Sequence, residues 1–252
     1  MTSTPPFPEL ITLVEERSAV LRRAWAAAPD PEARVPCCDA WSMRDLVVHL
    51  GGVQRFWAAT AAHGDPSGPP PEGKAGDRAP HGDLREWSAA STELLVTALR
   101  EAGPDGPCWA WWAASAAASL TVGAVARHQV QEAAVHAYDA QAAIGEPEPL
   151  PAAVAVDGVA EFLQVVLGSR GPWRHRPARV ALQALEGPSW TVDLSPAGAQ
   201  TNPAASGDPV TTLRGTTSDL VLALYRRIPL AAVRVDGDRE VADQLREWSR
   251  MD

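Results

Sequence analysis

Glu132 and His136 stand four residues apart in the stretch 122–141, VGAVARHQVQEAAVHAYDAQ. On a helix that spacing puts both side chains on one face, about 5–6 Å apart at Cβ, which is how one helix offers two ligands to one cation. A Glu-x-x-x-His pair is short, and a metal site needs a third ligand from elsewhere. His49 is the candidate: it recurs with Leu46, Leu50, Val53 and Trp57 at three- and four-residue intervals and so points inward. A lone inward histidine is commonly an ordinary core residue. Here a second helix also directs a carboxylate and an imidazole inward, and buried charge is costly unless paired or metal-bound.

Helical periodicity supplies the elements that position these groups. The first helix covers residues 8–27, with Leu10, Leu13, Val14, Val20 and Leu21 as its apolar stripe. The helix that carries His49 begins at Ser42, which forms a capping box with Asp45 three residues on. Gly51 and Gly52 are poor helix formers, so their use is to let another helix or a ligand approach closely. A proline- and glycine-rich loop over residues 64–82 reads as a surface loop or a lid, flanked by His63 and His81 in solvent.

A third helix follows over residues 83–101, with Leu84, Trp87, Leu94, Leu95 and Ala98 facing inward. Trp109, Trp111 and Trp112 then cluster just before the ligand-bearing helix, either as core or as a pocket wall. That helix spans residues 121–144, ended by Gly145 and Pro147, with Val125, Gln129, Glu132, His136 and Asp139 along one face. Residues 145–151, GEPEPLP, form a linker, and residues 152–167 a further helix that closes the bundle or bridges the two halves. Beyond Gly171 the pattern turns to short β-rich runs around a hairpin at Glu186-Gly187-Pro188, interleaved with two helices. The expectation is an α+β chain: a helical bundle over residues 1–168 and a small α+β domain with an antiparallel sheet over residues 169–252.

Composition narrows the function. A formal charge of −9 argues against a nucleic-acid partner, and only Lys74 among 22 basic residues is a lysine. No run reaches the ~20 apolar residues of a membrane span, and MTSTPPFPEL lacks a secretory pattern, so the expected address is cytoplasmic. Cys37, Cys38 and Cys108 form no C-x-x-C pair, so a metal would be held by histidine and carboxylate. Nucleotide-binding glycine motifs and G-x-S-x-G are lacking.

Three pieces in order then resemble one family. VPCCDAWSMRDLVVHLGG is similar to the V-P-x-C-x-x-W-[ST]-x-[RK]-D-L-x-x-H-L signature of the mycothiol-dependent maleylpyruvate isomerase family, and HQVQEAAVHAYDAQAAIG to its second signature. LRGTTSDLVLALYRRIPLAAVRVDGD is similar to the family's smaller domain. The resemblance implies a DinB-like four-helix bundle followed by a sterol-carrier-like α+β domain. It makes His49, Glu132 and His136 the ligands of a divalent metal, zinc by donor type, and mycothiol the thiol cosubstrate.

By the same resemblance Asp139 orients His136, or else serves helix packing. Arg227 matches an active-site arginine able to hold a carboxylate, or else is a surface residue ending a helix. From their clustering, not from the resemblance, Trp109 and Trp112 would line the cofactor pocket; Cys38 matches the family cysteine, with packing as its use. Gln131, Ala137 and Arg226 depart from the family's usual His, Arg and Gly. The implied activity is thiol S-transfer or cis–trans isomerisation of an electrophilic small molecule by a monomer or homodimer. A non-catalytic small-molecule-binding or regulatory protein with a structural or vestigial metal site is the alternative.

Overall fold

The computed structural model describes residues 4–38, 40–71, 77–113, 115, 118–201 and 207–250. The chain divides into two compact units, one of residues 4–111 and 119–150 and the other of residues 112–118 and 151–252.

The first unit is a bundle of α1 (Phe7–Ala27), α2 (Met43–His63), α3 (Leu84–Ala102) and α4 (Val122–Ala143). The expected stripe of α1 is buried throughout: Leu10, Leu13, Val14, Val20 and Leu21. α2 begins at the capping box, in which the Ser42 hydroxyl accepts from the Asp45 N–H at 3.2 Å and the Asp45 carboxylate accepts from the Ser42 N–H at 2.9 Å. Each partner satisfies an amide that the first turn of a helix leaves orphaned. α4 is capped by the Thr121 hydroxyl and buries Ala126, Ala133, Ala134, Ala137 and Ala140, whose small side chains admit the close approach of α1.

Gly51 does what its type suggested: a Cβ there would lie 2.2 Å from Cζ3 of Trp87, so α2 and α3 meet closely only because it has none. Leu94 departs from expectation, lying 48% exposed, whereas Leu95, Val96 and Leu99 of the same helix are buried. Its position at the margin of the α3 stripe turns it outward. The loop expectation over residues 64–82 falls partly on residues 72–76, outside the described residues. Within the described part, exposed His81 pairs with Asp77.

The second unit holds α5 (Ala152–Glu161), continued by a π turn (Phe162–Val166) and a short 3-10 turn (Leu167–Ser169), then a five-stranded sheet. Its strands are β1 (Ala178–Ala184), β2 (Ser189–Ser195), β3 (Gly198–Thr201), β4 (Thr211–Gly215) and β5 (Arg234–Gly237), in the order β3-β2-β1-β4-β5. α6 (Thr217–Leu224) and α7 (Arg239–Trp248) pack against β4. The expected β1–β2 hairpin is present, with Gly187 at φ +111° in its turn, where a side chain would be strained.

The sheet is not wholly antiparallel. β1 pairs in parallel with β4, matching Leu182 to Leu213. Because β2 and β3 fold back along one side of β1, the chain returns to the other edge running in the direction of β1. The expected boundary after residue 168 also differs from the observed division at 150/151: the apolar face of α5 packs on α6, within the C-terminal unit. Residues 152–169 are apolar enough, at a mean hydropathy of 1.5, to invite comparison with a membrane span, but 61% of the stretch is buried inside the protein, as in a core helix.

Candidate metal centre

In the helical bundle, α2 and α4 face each other so that His49 meets Glu132 and, two turns along, Trp57 meets His128. The first of these contacts is the site. His49 donates from Nε2 to Glu132 Oε1 at 3.0 Å, and His136 Nε2 lies 3.3 Å from the same oxygen. The two imidazoles stand edge to face, with centroids 4.9 Å apart. One ligand atom from each of the three residues lies within 4.8 Å of the others.

The donor set suits zinc in type, and the two spacings to the Glu132 oxygen are close to those that zinc needs. Bond lengths of about 2.0–2.2 Å in tetrahedral geometry require donors about 3.3–3.5 Å apart, and the observed 3.0 and 3.3 Å need only small adjustment. The side chains are graded in exposure, His49 at 33%, Glu132 at 19% and His136 at 8%. The His49 side is therefore the accessible one.

Asp139, fully buried on the next turn of α4, accepts from His136 Nδ1 at 2.9 Å. That hydrogen bond fixes the ring so that Nε2 points at Glu132, the outer-shell arrangement common to metal-bound histidines. Burial would raise the Glu132 carboxyl, but the charge and hydrogen bonds of His136, with those of His49, outweigh it and hold the group well below its usual range. Burial would likewise lower the His136 imidazole; the Glu132 charge and the hydrogen bonds to Asp139 and Glu132 overcome it and push its pKa up to about 9.

Two residues adjoining the centre had no role assigned from sequence. Trp41, one residue before the capping serine, lies against His49 with centroids 4.5 Å apart and against His136 at 5.9 Å. Cys37 donates to Asp139 Oδ1 at 3.4 Å. The signal for both was their place in the segment leading into α2, within the quoted signature.

The remaining expected residues are placed as follows. Trp109 is half-buried and stacks on Trp57 at 6.3 Å, in a cluster with Phe56; Trp111, 41% exposed, meets the edge of His128 at 5.5 Å. Trp112 is fully buried and belongs to the C-terminal unit, so Trp109 and Trp112 are not brought together within one unit. Gln131, expected to depart from the resembled signature, is fully buried. Gln129, 1% exposed on the face of His136, has no hydrogen-bond partner for either amide atom.

In the C-terminal unit, Arg227 donates from Nη1 to the Tyr225 carbonyl at 2.8 Å, just after α6. Arg226, where the resemblance led to an expected Gly, is the one non-glycine with positive φ among the described residues, at +66°. The left-handed turn that glycine would take freely is kept, and Arg226 bonds the Glu247 carboxylate at 2.8 Å from it.

Comparison with known proteins bears on both units. The family model described as mycothiol maleylpyruvate isomerase N-terminal domain matches residues 11–141, and that of the corresponding C-terminal domain matches residues 153–244. Among solved structures, the chain is similar to the crystal structure of the mycothiol-dependent maleylpyruvate isomerase, with 18% identity and a TM-score of 0.59 over 94% of this chain and 96% of the other. A mutant of that enzyme with one histidine replaced by alanine gives 17% identity and the same TM-score and coverage. At such identity the structural likeness speaks for the fold. No curated protein matches the chain.

Proposed function

We propose, because this chain belongs to the mycothiol maleylpyruvate isomerase family, that it is a divalent-metal enzyme that uses mycothiol on an electrophilic small molecule, as a thiol S-transferase or a cis–trans isomerase of the maleylpyruvate type. The observation that carries the reading is the convergence of His49 Nε2 and His136 Nε2 on one oxygen of Glu132. His49, Glu132 and His136 would hold the metal, zinc by donor type, and two imidazoles with one carboxylate leave coordination positions open, as catalytic sites do. A bound ion of this kind lowers the pKa of a coordinated thiol, so that the reactive thiolate predominates near neutral pH.

The chain's own residues then divide the work. Asp139 holds His136 in one tautomer with Nε2 directed at the metal position. Trp41 lies against the rings of His49 and His136 and gives the site an aromatic face. His49, the most exposed ligand, borders the side from which thiol and electrophile enter. Trp109, from the connection between α3 and α4, and Phe56 and Trp57 of α2 offer an apolar wall in the same bundle. In the C-terminal unit, taken by itself, Arg227 is a planar cation able to hold a carboxylate. The setting is cytoplasmic.

Elemental analysis of purified protein tests the reading directly. About one divalent ion per chain is expected, lost in His49→Ala and in His136→Ala. Protein that stays metal-free after incubation with zinc refutes it. In the cobalt-substituted protein, a thiol-induced change in the visible spectrum supports thiol chemistry at the site, and no change favours a binding protein.

A further inference from the structure

Asp139 is approached by more than His136. Cys37 donates from Sγ to Oδ1 at 3.4 Å and Cys38 Sγ lies 4.0 Å from Oδ2, the oxygen that also accepts from His136 at 2.9 Å. The segment that carries the thiols is held by its own main chain: Val35 N–H donates to the Trp41 carbonyl at 3.0 Å, Cys38 N–H to Val35 at 3.0 Å and Trp41 N–H to Cys38 at 2.7 Å. Both thiols therefore reach Asp139 from the hydrogen-bonded turn of residues 35–38. A fully buried carboxylate is costly where its oxygens lack donors, and Cys37 donates to the oxygen that His136 does not use. No step of the proposed chemistry employs either thiol.

We infer that Cys37, supported by Cys38, is a positioning residue of the metal centre: its thiol holds the Asp139 carboxylate in the orientation that aims His136 Nε2 at Glu132. This rests on the metal reading above. It gives the paired cysteines a use distinct from packing, from ligation and from nucleophilic attack.

Zinc affinity measured by competition with a chromophoric chelator, in a double-mutant cycle with Asp139→Asn, tests the inference. Cys37→Ala should weaken zinc binding about 3- to 10-fold, less than the ~10–100-fold typical of a direct outer-shell partner. Cys37→Ser, which keeps a donor, should stay within about twofold of the unsubstituted protein. In the Asp139→Asn background Cys37→Ala should add nothing. Unchanged affinity in Cys37→Ala overturns the inference, as does an equal loss in Cys37→Ser, or a full additional loss in the Asp139→Asn background.

The same cycle run on urea unfolding of chelator-treated protein needs no metal. Coupling between Cys37 and Asp139 there, in a protein that binds no zinc, would leave the contact standing and sink only the metal reading. No coupling in either cycle sinks the inference itself.

Discussion

Raising the pH from 6.5 to 9 should destabilise the metal-free bundle and strengthen its hold on zinc. The folded protein raises the His136 pKa from 6.5 to about 9, with burial opposing the shift and Glu132 and Asp139 driving it. A group whose pKa rises on folding contributes stability that is complete below its unfolded value and lost as pH climbs through its folded value. One proton is involved, so stability should fall by up to about 1.4 kcal/mol per pH unit across that window. Zinc requires the unprotonated ring. Over the same window its apparent affinity should therefore rise by up to about tenfold per pH unit.

Urea unfolding of chelator-treated protein, followed by tryptophan fluorescence at pH 6.5, 7.5 and 8.5, gives the first slope, and chelator competition at the same pH values gives the second. His136→Gln isolates the contribution of this one group, and the metal-free slope of the unsubstituted protein should exceed that of the variant. Metal-free stability that is equally flat in both proteins refutes the reasoning, as does a zinc affinity that does not change with pH. Glu132, with its pKa depressed, acts oppositely in acid: its contribution is present above its ordinary value and is lost as pH falls below it.

Asp139→Asn keeps the shape of the side chain but removes its charge, and should weaken zinc binding about 10–100-fold without unfolding the bundle; chelator competition and circular dichroism check it together. Gly51→Ala should lose about 1 kcal/mol in urea unfolding, since the contact with Trp87 costs about 1–3 kcal/mol against a helix-propensity gain of about 1 kcal/mol. A stabilised Gly51→Ala would show that α2 and α3 can part freely. Arg227→Ala should leave zinc content unchanged while lowering kcat/KM with a carboxylate-bearing substrate by about 10–100-fold, the scale of a lost charge-assisted hydrogen bond. Unaltered kinetics would return Arg227 to a purely structural place.

Local signals read well in this sequence. Ser42 and Asp45 marked the start of α2, and Thr121 and Ile144 bracketed α4, because capping chemistry is confined to a few residues. Helical spacing selected Glu132 and His136, inward periodicity with the resembled signature added His49, and the structure brings their donor atoms together. Pairing between distant segments was less legible. The parallel partnership of β1 with β4 depends on which edge of β1 remains after β2 and β3 have folded back, and no pattern within a strand encodes that. The apolar face of α5 announced burial without naming its partner, so the helix was grouped with the bundle and not with α6. Cys37 and Trp41 were hidden for a similar reason: each acts on a side chain from another element, and a turn without periodicity gives no direction to its side chains.

The chain distances across the centre carry a consequence for folding kinetics. His49 and Glu132 are separated by 83 residues, and Cys37 and Asp139 by 102. Contacts that close such long loops are slow to form, because the loss of chain entropy precedes any compensating contact. A metal that needs α2, α4 and the turn before α2 in place finds its ligands assembled only after the rate-limiting barrier. Zinc should then leave the refolding rate nearly unchanged and lengthen the lifetime of the folded state, making the centre a brake on unfolding.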